Sequence, residues 1–324
     1  MWVIFMSKFP KLKSRAVLGP MAGFTDIAFR TVARKYGAAM TWAEMVSATA
    51  VVRKNKETMK ILRTGVGERP IAAQLFGTSD ELVAAAQMIE QKFDVIDINC
   101  GCPARIVTKT GAGATLLKDP KKIASLVNKV VSAVKKPVAI KIRSGMTPNS
   151  INAVQVAKLA EDAGVAAITV HGRTVSQGYS GMADWEIIRR VKEAVDVPVI
   201  GNGDVFSPES FKHKLEQSGV DAIMICRGAL GNPYIFTQIR DYMKTGKYRS
   251  SLENRREQFG EYMKYAKKYE SDFPKIRAHA IQLTKGVLDA AKVRVQVGSC
   301  KNVKELTQTF VKACEEAPNR GQKS

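Results

Sequence analysis

Eight short apolar, β-branched runs separated by amphipathic stretches restrict the architecture of this chain more than any other feature. They are AVLGP (16–20), MTWAEMV (40–46), IAAQLFG (71–77), DVIDINC (94–100), PVAIKIRSG (137–145), AAITVHG (166–172), PVIGNG (198–203) and AIMICRG (222–228). Each reads as a strand buried on both faces, the pattern of a parallel sheet covered by helices. Helical periodicity fills the intervals, as in DELVAAAQMIEQKF (80–93), DPKKIASLVNKVVSAVKK (119–136), SINAVQVAKLAEDAG (150–164) and DWEIIRRVKEAV (184–195). Thr78-Ser79-Asp80 marks a helix start and Gly164 a helix end. Eight strand–helix units predict a (β/α)8 barrel of the TIM type within the α/β class. The competing doubly wound open sheet usually has fewer strands and a glycine-rich phosphate turn behind its first strand, which this chain lacks.

After GNPYIF (231–236) the texture changes to helical patterns without strand-like runs, such as REQFGEYMKYAKKYE and KNVKELTQTFVKACEE. The spacing predicts two domains, a barrel over 1–237 and a smaller all-α domain over 238–324. The chain of 324 residues carries a formal charge of +21. Residues 236–324 hold 19 Lys and Arg against 10 Asp and Glu, about twice the net positive charge per residue of the preceding part. With Tyr262, Tyr265 and Tyr269 among those cations, the tail is expected to face a nucleic acid rather than to be a merely solvated helical face. Five scattered cysteines do not form a disulfide framework and fit a reducing cytoplasm. No apolar run is long enough to span a bilayer, so no membrane partner is expected, and a monomer is. MWVIF (1–5), too short for a signal-peptide core and followed by Met6, is read as a product of an upstream start or as a strand on the barrel floor.

In such a barrel, chemistry gathers at the C-terminal ends of the strands. Strand 1 there runs into PMAGFTD (20–26), whose small residues would let a flat ligand lie against backbone. Strand 3 ends in Gln74, strand 4 in Asn99, Cys100 and Cys102, strand 5 in Lys141 and Arg143, and strand 6 in His171 and Arg173. Strands 7 and 8 end in GNGD (201–204) and CRG (226–228), glycine turns where these barrels grip phosphate. A phosphate grip beside a central lysine and histidine fits FMN better than pyridoxal phosphate, which would need an acid near its ring nitrogen.

Cys100 and Cys102 lack the two further ligands a zinc site would need, so no metal is expected, and a disulfide between them would be strained. Cys102, on the loop before Pro103, is left as a catalytic group, whereas Cys100 belongs to the strand. A thiol is mostly protonated at neutral pH and can act as a general acid.

Taken in order, PMAGFTD, QLFG, DINCGCPARIVTKTGAGATLL, KIRSG, HGRTVSQGYSGMADW, VIGNGD and CRGALGNPYIF resemble the tRNA-dihydrouridine synthases, from about residue 16 to 236. The resemblance implies FMN-dependent reduction of the C5=C6 bond of a particular uridine in tRNA, with NADPH or NADH as electron source. Hydride would reach C6 from the reduced flavin, and Cys102 would protonate C5. By the same resemblance Pro20, Met21, Ala22, Gln74, Lys141, His171, Asn202, Gly203, Asp204, Cys226, Arg227 and Gly228 hold the flavin. Asn99, Arg143, Arg173 and Gln177 face the uracil, together with His171. Two positions depart from the family pattern: Cys100, where an apolar residue is more usual, and Cys226, where glycine is common. Reducing a base inside folded RNA requires splaying it out at a cost of a few kcal/mol, which contacts between phosphates and a basic surface would offset. A flavin barrel acting on a free small molecule, of the dihydroorotate-oxidising or old-yellow type, would share the phosphate grip without needing the basic tail. A non-enzymatic RNA-binding protein would share only the charge.

Overall fold

The computed structural model of the chain describes residues 8–315 apart from Ser79 and Leu288, so the expectations for residues 1–5, for Ser79 and for the last nine residues lie outside the described residues. Each of the eight runs supplies a stave of the ring: β1 Ala16–Leu18, β2 Thr41–Trp42, β3 Ile71–Phe76, β4 Val95–Cys100, β5 Val138–Arg143, β6 Ala167–His171, β7 Val199–Asn202 and β8 Ala222–Ile225. All pair in parallel, and the ring closes because β1 pairs with both β2 and β8 while β2 pairs with β3. Closure excludes the open sheet. The second run is not one continuous strand: after Trp42 the chain leaves the ladder and a two-residue strand, Val46–Ser47, rejoins β3 at Leu75 and Phe76. The interruption sets Glu44 where its Oε2 accepts the Gly23 N–H at 2.6 Å, and Lys275 approaches its other oxygen at 3.8 Å.

Outside the ring lie α1 Ile27–Lys35, α2 Ala48–Val52, α3 Asp80–Ile89, α4 Pro120–Ala133, α5 Ala153–Asp162, α6 Trp185–Ala194, α7 Pro208–Ser218 and α8 Ile235–Thr245. Their starts are capped as the sequence requires: Asp26 accepts the Phe29 N–H at 2.8 Å, Asp119 precedes Pro120, and Ser207 and Ser210 cap α7 reciprocally. Strand side chains alternate between two cores. Ile96, Ile98 and Cys100 of β4, like Ile140 and Ile142 of β5, face the helices. Val95, Ala139, Ala167, Ile200, Ala222 and Met224 face inward and fill the barrel floor with Trp42. Two residues further along each strand the inward positions become polar, at Gln74, Asp97, Lys141, Thr169 and Asn202.

Four more helices follow, α9 Arg255–Lys268, α10 Phe273–Leu283, α11 Ala290–Ser299 and α12 Val303–Glu315. Residue 238 lies inside α8, and the apolar residues of the tail belong to the same core as the barrel helices. His279 of α10 is the hub of that contact. Its ring stacks on Phe29 at 4.6 Å and lies 4.4 Å from Tyr262, and its Nε2 is 2.9 Å from the Phe24 carbonyl. That carbonyl can only accept, so Nε2 carries the proton. Phe259 and Phe310 pack at 4.2 Å and join α9 to α12. Tyr262→Ala should therefore cost about 3–5 kcal/mol in denaturant unfolding of the whole chain, the range for deleting a large buried ring. A loss under about 1 kcal/mol would show that the tail adds little to barrel stability.

Candidate active site

A cavity of about 610 Å³ opens at the C-terminal mouth of the barrel. Every residue anticipated for the cofactor lines it, together with Cys102, Asn99 and Arg143. Arg173 and Gln177 do not line it, because both are committed to the loop after β6. Arg173 donates to the Ser180 and Gly181 carbonyls and pairs with Asp204 at 2.7 Å, while Gln177 Oε1 accepts from the Thr174 N–H at 2.8 Å.

One side of the cavity is built by the turns after β7 and β8. Gly203 sits at φ 136°, and a Cβ there would collide with Ala183 and approach the His171 ring to 3.3 Å. A Cβ on Gly228 would strike the Val205 carbonyl, so glycine is what lets these two turns close together. Between them Asp204 gathers cations: Arg173, and Arg227 at 3.0 Å, with the Ala183 N–H donating at 2.7 Å. Burial works to raise the Asp204 carboxyl, but the Arg173 hydrogen bond, the Ala183 N–H and both guanidinium charges hold it below its usual range. Arg227 lies over the Tyr179 ring at 4.4 Å and near Phe206 at 5.6 Å, an aromatic bracket that leaves its guanidinium partly exposed to the cavity.

Across the floor of the cavity, Lys141 Nζ donates to Asn202 Oδ1 at 3.1 Å, and Asn202 Nδ2 donates to the Met224 carbonyl at 2.8 Å. Burial pulls the Lys141 ammonium below its ordinary value and pushes the Cys226 thiol above its own. His171 is pushed down to about 2 by burial and by the charges of Lys141, Arg143, Arg173 and Arg227. It is a neutral imidazole at any working pH.

On the opposite wall Cys100 and Cys102 take different surroundings. Cys100 is fully buried on the helix-facing side of β4, and burial raises its thiol. Cys102 stands at the cavity on a turn held from three directions. Asn99 Oδ1 accepts the Cys102 N–H at 2.9 Å and the Gly101 N–H at 3.2 Å, Arg143 Nε donates to the Gly101 carbonyl at 3.2 Å, and the Ala114 N–H donates to the Cys102 carbonyl at 3.0 Å. Arg143 also donates to the Thr174 and Gly178 carbonyls, tying the turns after β4 and β6 together.

Sequence reasoning missed Tyr179 and Phe206, which only the meeting of two loops brings to Arg227. It also missed Asp97. The signal was the second carboxylate of DVIDINC, set inside the apolar run and in phase with Asn99.

Residues 17–319 match one family model, Dihydrouridine synthase (Dus). The chain belongs to the dihydrouridine synthase family. It is 43% identical over 246 residues to tRNA-dihydrouridine synthase B of Shewanella oneidensis, covering 75% of this chain and 76% of that protein. It is 42% identical over 240 residues to tRNA-dihydrouridine synthase B of Pseudomonas aeruginosa, covering 73% and 72%. Among solved structures, histamine dehydrogenase from Rhizobium sp. 4-9 superposes with a TM-score of 0.55 at 14% identity, over 78% of this chain and 49% of that one. TcOYE with pHBA gives 0.53 at 12% identity over 76% and 93%. At such identities these two show the shared barrel fold alone. In this dihydrouridine synthase Asp204 gains stability from ionisation, so that contribution is present above the ordinary carboxylate value of 3.8 and fades as pH falls through the lowered folded-state value. Asp204→Asn should cost about 3 kcal/mol at pH 7, and its deficit should shrink in thermal melts recorded below about pH 4.

Proposed function

We propose that this protein is a tRNA-dihydrouridine synthase that uses FMN, re-reduced by NADPH or NADH, to reduce the C5=C6 bond of uridines in tRNA. Membership in the family supports a flavin-dependent oxidoreductase acting on tRNA. The observation that carries the finer reading is that Cys102 opens on the same cavity as Lys141 and the two glycine turns.

The residues present fit FMN. A mononucleotide needs one phosphate grip, and the Gly203 and Gly228 turns beside Arg227 offer one, where any Cβ would close the space. Lys141, ammonium end inward, is suited to a negatively charged reduced ring, and Gln74 and Asn202 offer amide partners at its edge. Arg227 would exchange part of its Asp204 contact for the phosphate. When bound, the reduced flavin supplies the hydride for uracil C6. Asn99, Arg143 and neutral His171 would orient the uracil, and Cys102 Sγ would hold the proton that C5 receives. Arg173 and Gln177 would act on the substrate by shaping the loop after β6.

Residues 238–324 serve in this reading as the tRNA-binding segment of a cytoplasmic monomer. Lys275 beside Glu44 supports this, because Glu44 anchors the 20–26 turn of the cavity. So does Lys285, which burial together with the charges of Arg294, Arg227 and Arg255 pulls below its ordinary value. No helix among the described residues is long and apolar enough to cross a membrane.

The protein should purify yellow and release FMN on denaturation, and Arg227→Ala should weaken FMN binding by about 1.5–3 kcal/mol in a flavin fluorescence titration. A protein that takes up no FMN would remove the cofactor assignment. Cys102→Ala should retain flavin and its reduction by NADPH but lose roughly 10²–10⁴-fold in dihydrouridine formation, while Cys100→Ala keeps activity. Equal activity of the two variants would sink the proton-donor role. Neutralising Lys264, Lys267, Lys268, Lys275 and Arg277 should flatten the salt dependence of tRNA binding, each lost phosphate contact lowering the log–log slope by about 0.7–0.9. An unchanged slope would mean that the RNA docks elsewhere.

A further inference from the structure

Neither packing nor the reaction accounts for the presence of Asp97 in the barrel interior. It is fully buried, does not line the cavity, and leaves its Oδ1 without a hydrogen-bond partner. Burial raises its carboxyl to about 6 against the opposing pull of Gln74, Lys141 and Trp42, so above that pH it is a charge that costs stability, a cost absent below about pH 4. The floor immediately beneath it is apolar, and stability alone would favour an apolar residue at position 97 as well.

What Asp97 does is set direction. Its Oδ2 receives Trp42 Nε1 at 3.0 Å and Gln74 Nε2 at 2.6 Å. An indole N–H can only donate and an ionised carboxylate can only accept, so Oδ2 of the ionised Asp97 takes an N–H from both neighbours. Gln74 must then turn its amide nitrogen to Asp97 and its Oε1 to Asn99, whose Nδ2 donates at 2.8 Å. Asn99 in turn must point Oδ1 at the Gly101 and Cys102 N–H groups. Without the carboxylate, both amides could rotate by half a turn. Asn99 would then present N–H to two N–H groups, and the turn would lose its anchor.

We propose that Asp97 is the positioning residue of this active site: through the amides of Gln74 and Asn99 it dictates which atom of Asn99 faces the Cys102 turn, and so where the Cys102 thiol stands. The catalytic consequence rests on Cys102 as proton donor, whereas the positioning is read separately from the reactivity of the thiol.

The test uses the full-length holoprotein. Site-resolved alkylation of Cys102 by iodoacetamide, followed by mass spectrometry, is compared with single-turnover reduction of tRNA by pre-reduced enzyme. Asp97→Leu removes the acceptor and should shift the Cys102 alkylation rate and slow tRNA reduction by roughly 10- to 100-fold, as loss of an orienting partner does. Asp97→Asn keeps an acceptor oxygen for Trp42 and Gln74 and should restore most of both. An Asp97→Leu protein that keeps its flavin and shows the parent's Cys102 alkylation rate overturns the proposal. A shifted alkylation rate with unchanged tRNA reduction upholds the positioning and refutes the proton-donor role instead. Should Asp97→Leu not fold, Gln74→Leu cuts the relay between Asp97 and Asn99 and leaves the Asn99 amide free to turn. Unaltered Cys102 reactivity there overturns the proposal equally.

Discussion

The inside of a closed ring of eight parallel strands is small, and each inward side chain must either fill it with apolar atoms or find a hydrogen-bond partner within it. Here the lower level is filled by Val95, Ala139, Ala167, Ile200 and Ala222, and the level above by Gln74, Asp97, Lys141 and Asn202. Small side chains below leave room for Trp42 to lie across the floor and for its indole N–H to reach Asp97. From that bond upward Asp97, Gln74 and Asn99 pass hydrogen bonds to the Cys102 turn on one wall, while Lys141 and Asn202 form a separate pair on the other. The cavity is thus the continuation of the core's packing rather than a gap in it.

Electrostatics gives the cavity its character. Lys141, Arg143, Arg173 and Arg227 surround it, and Asp204 is the anion that pairs two of them. Burial, reinforced by a field of that sign, keeps His171 uncharged, and the field favours a ligand that carries a phosphate and accumulates negative charge. Held by Arg173 and by the Ala183 N–H, Asp204 keeps the turn after β7 in shape while Arg227, bracketed by Tyr179 and Phe206, stays at the surface.

The tail is joined to the same machinery. Ser271 donates to Asp26 at 2.9 Å, His279 grips the Phe24 carbonyl, and Lys275 pairs with Glu44, which holds Gly23. All three contacts fall on or beside the 20–26 turn that lines the cavity. The helical tail therefore bears directly on that turn, through hydrogen bonds from Ser271 and His279 and the longer Lys275–Glu44 ion pair. This coupling is a consequence of shared packing around Tyr262 and does not require a separate hinge.

Strand number, strand order of appearance and the end of the barrel where polar residues gather around a cavity were legible in the sequence, because an all-parallel buried strand must be apolar on both faces and the polar residues then stand out at its end. The different surroundings of Cys100 and Cys102 were legible too, since β4 ends where Gly101 turns the chain and alternation sends Cys100 to the helix side. The break in β2 was not, because MTWAEMV reads as one strand until Gly23 and Lys275, both distant in sequence, capture Glu44. Arg173 and Gln177 sit within reading distance of a strand end, yet Arg173 is held by loop carbonyls and an Asp from another turn and Gln177 by the N–H and hydroxyl of Thr174, and a linear pattern has no means of ranking those against a substrate. Asp97 was visible as an odd carboxylate but had no stated purpose, since its meaning lies in a hydrogen-bond direction passed among Trp42, Gln74 and Asn99 on three different strands. The sequence by itself determined the barrel and the end at which its polar residues gather, because burial and periodicity are local properties. Only the tertiary structure decided which polar group faces which, because a hydrogen bond's donor and acceptor are chosen by neighbours that the chain brings together from afar.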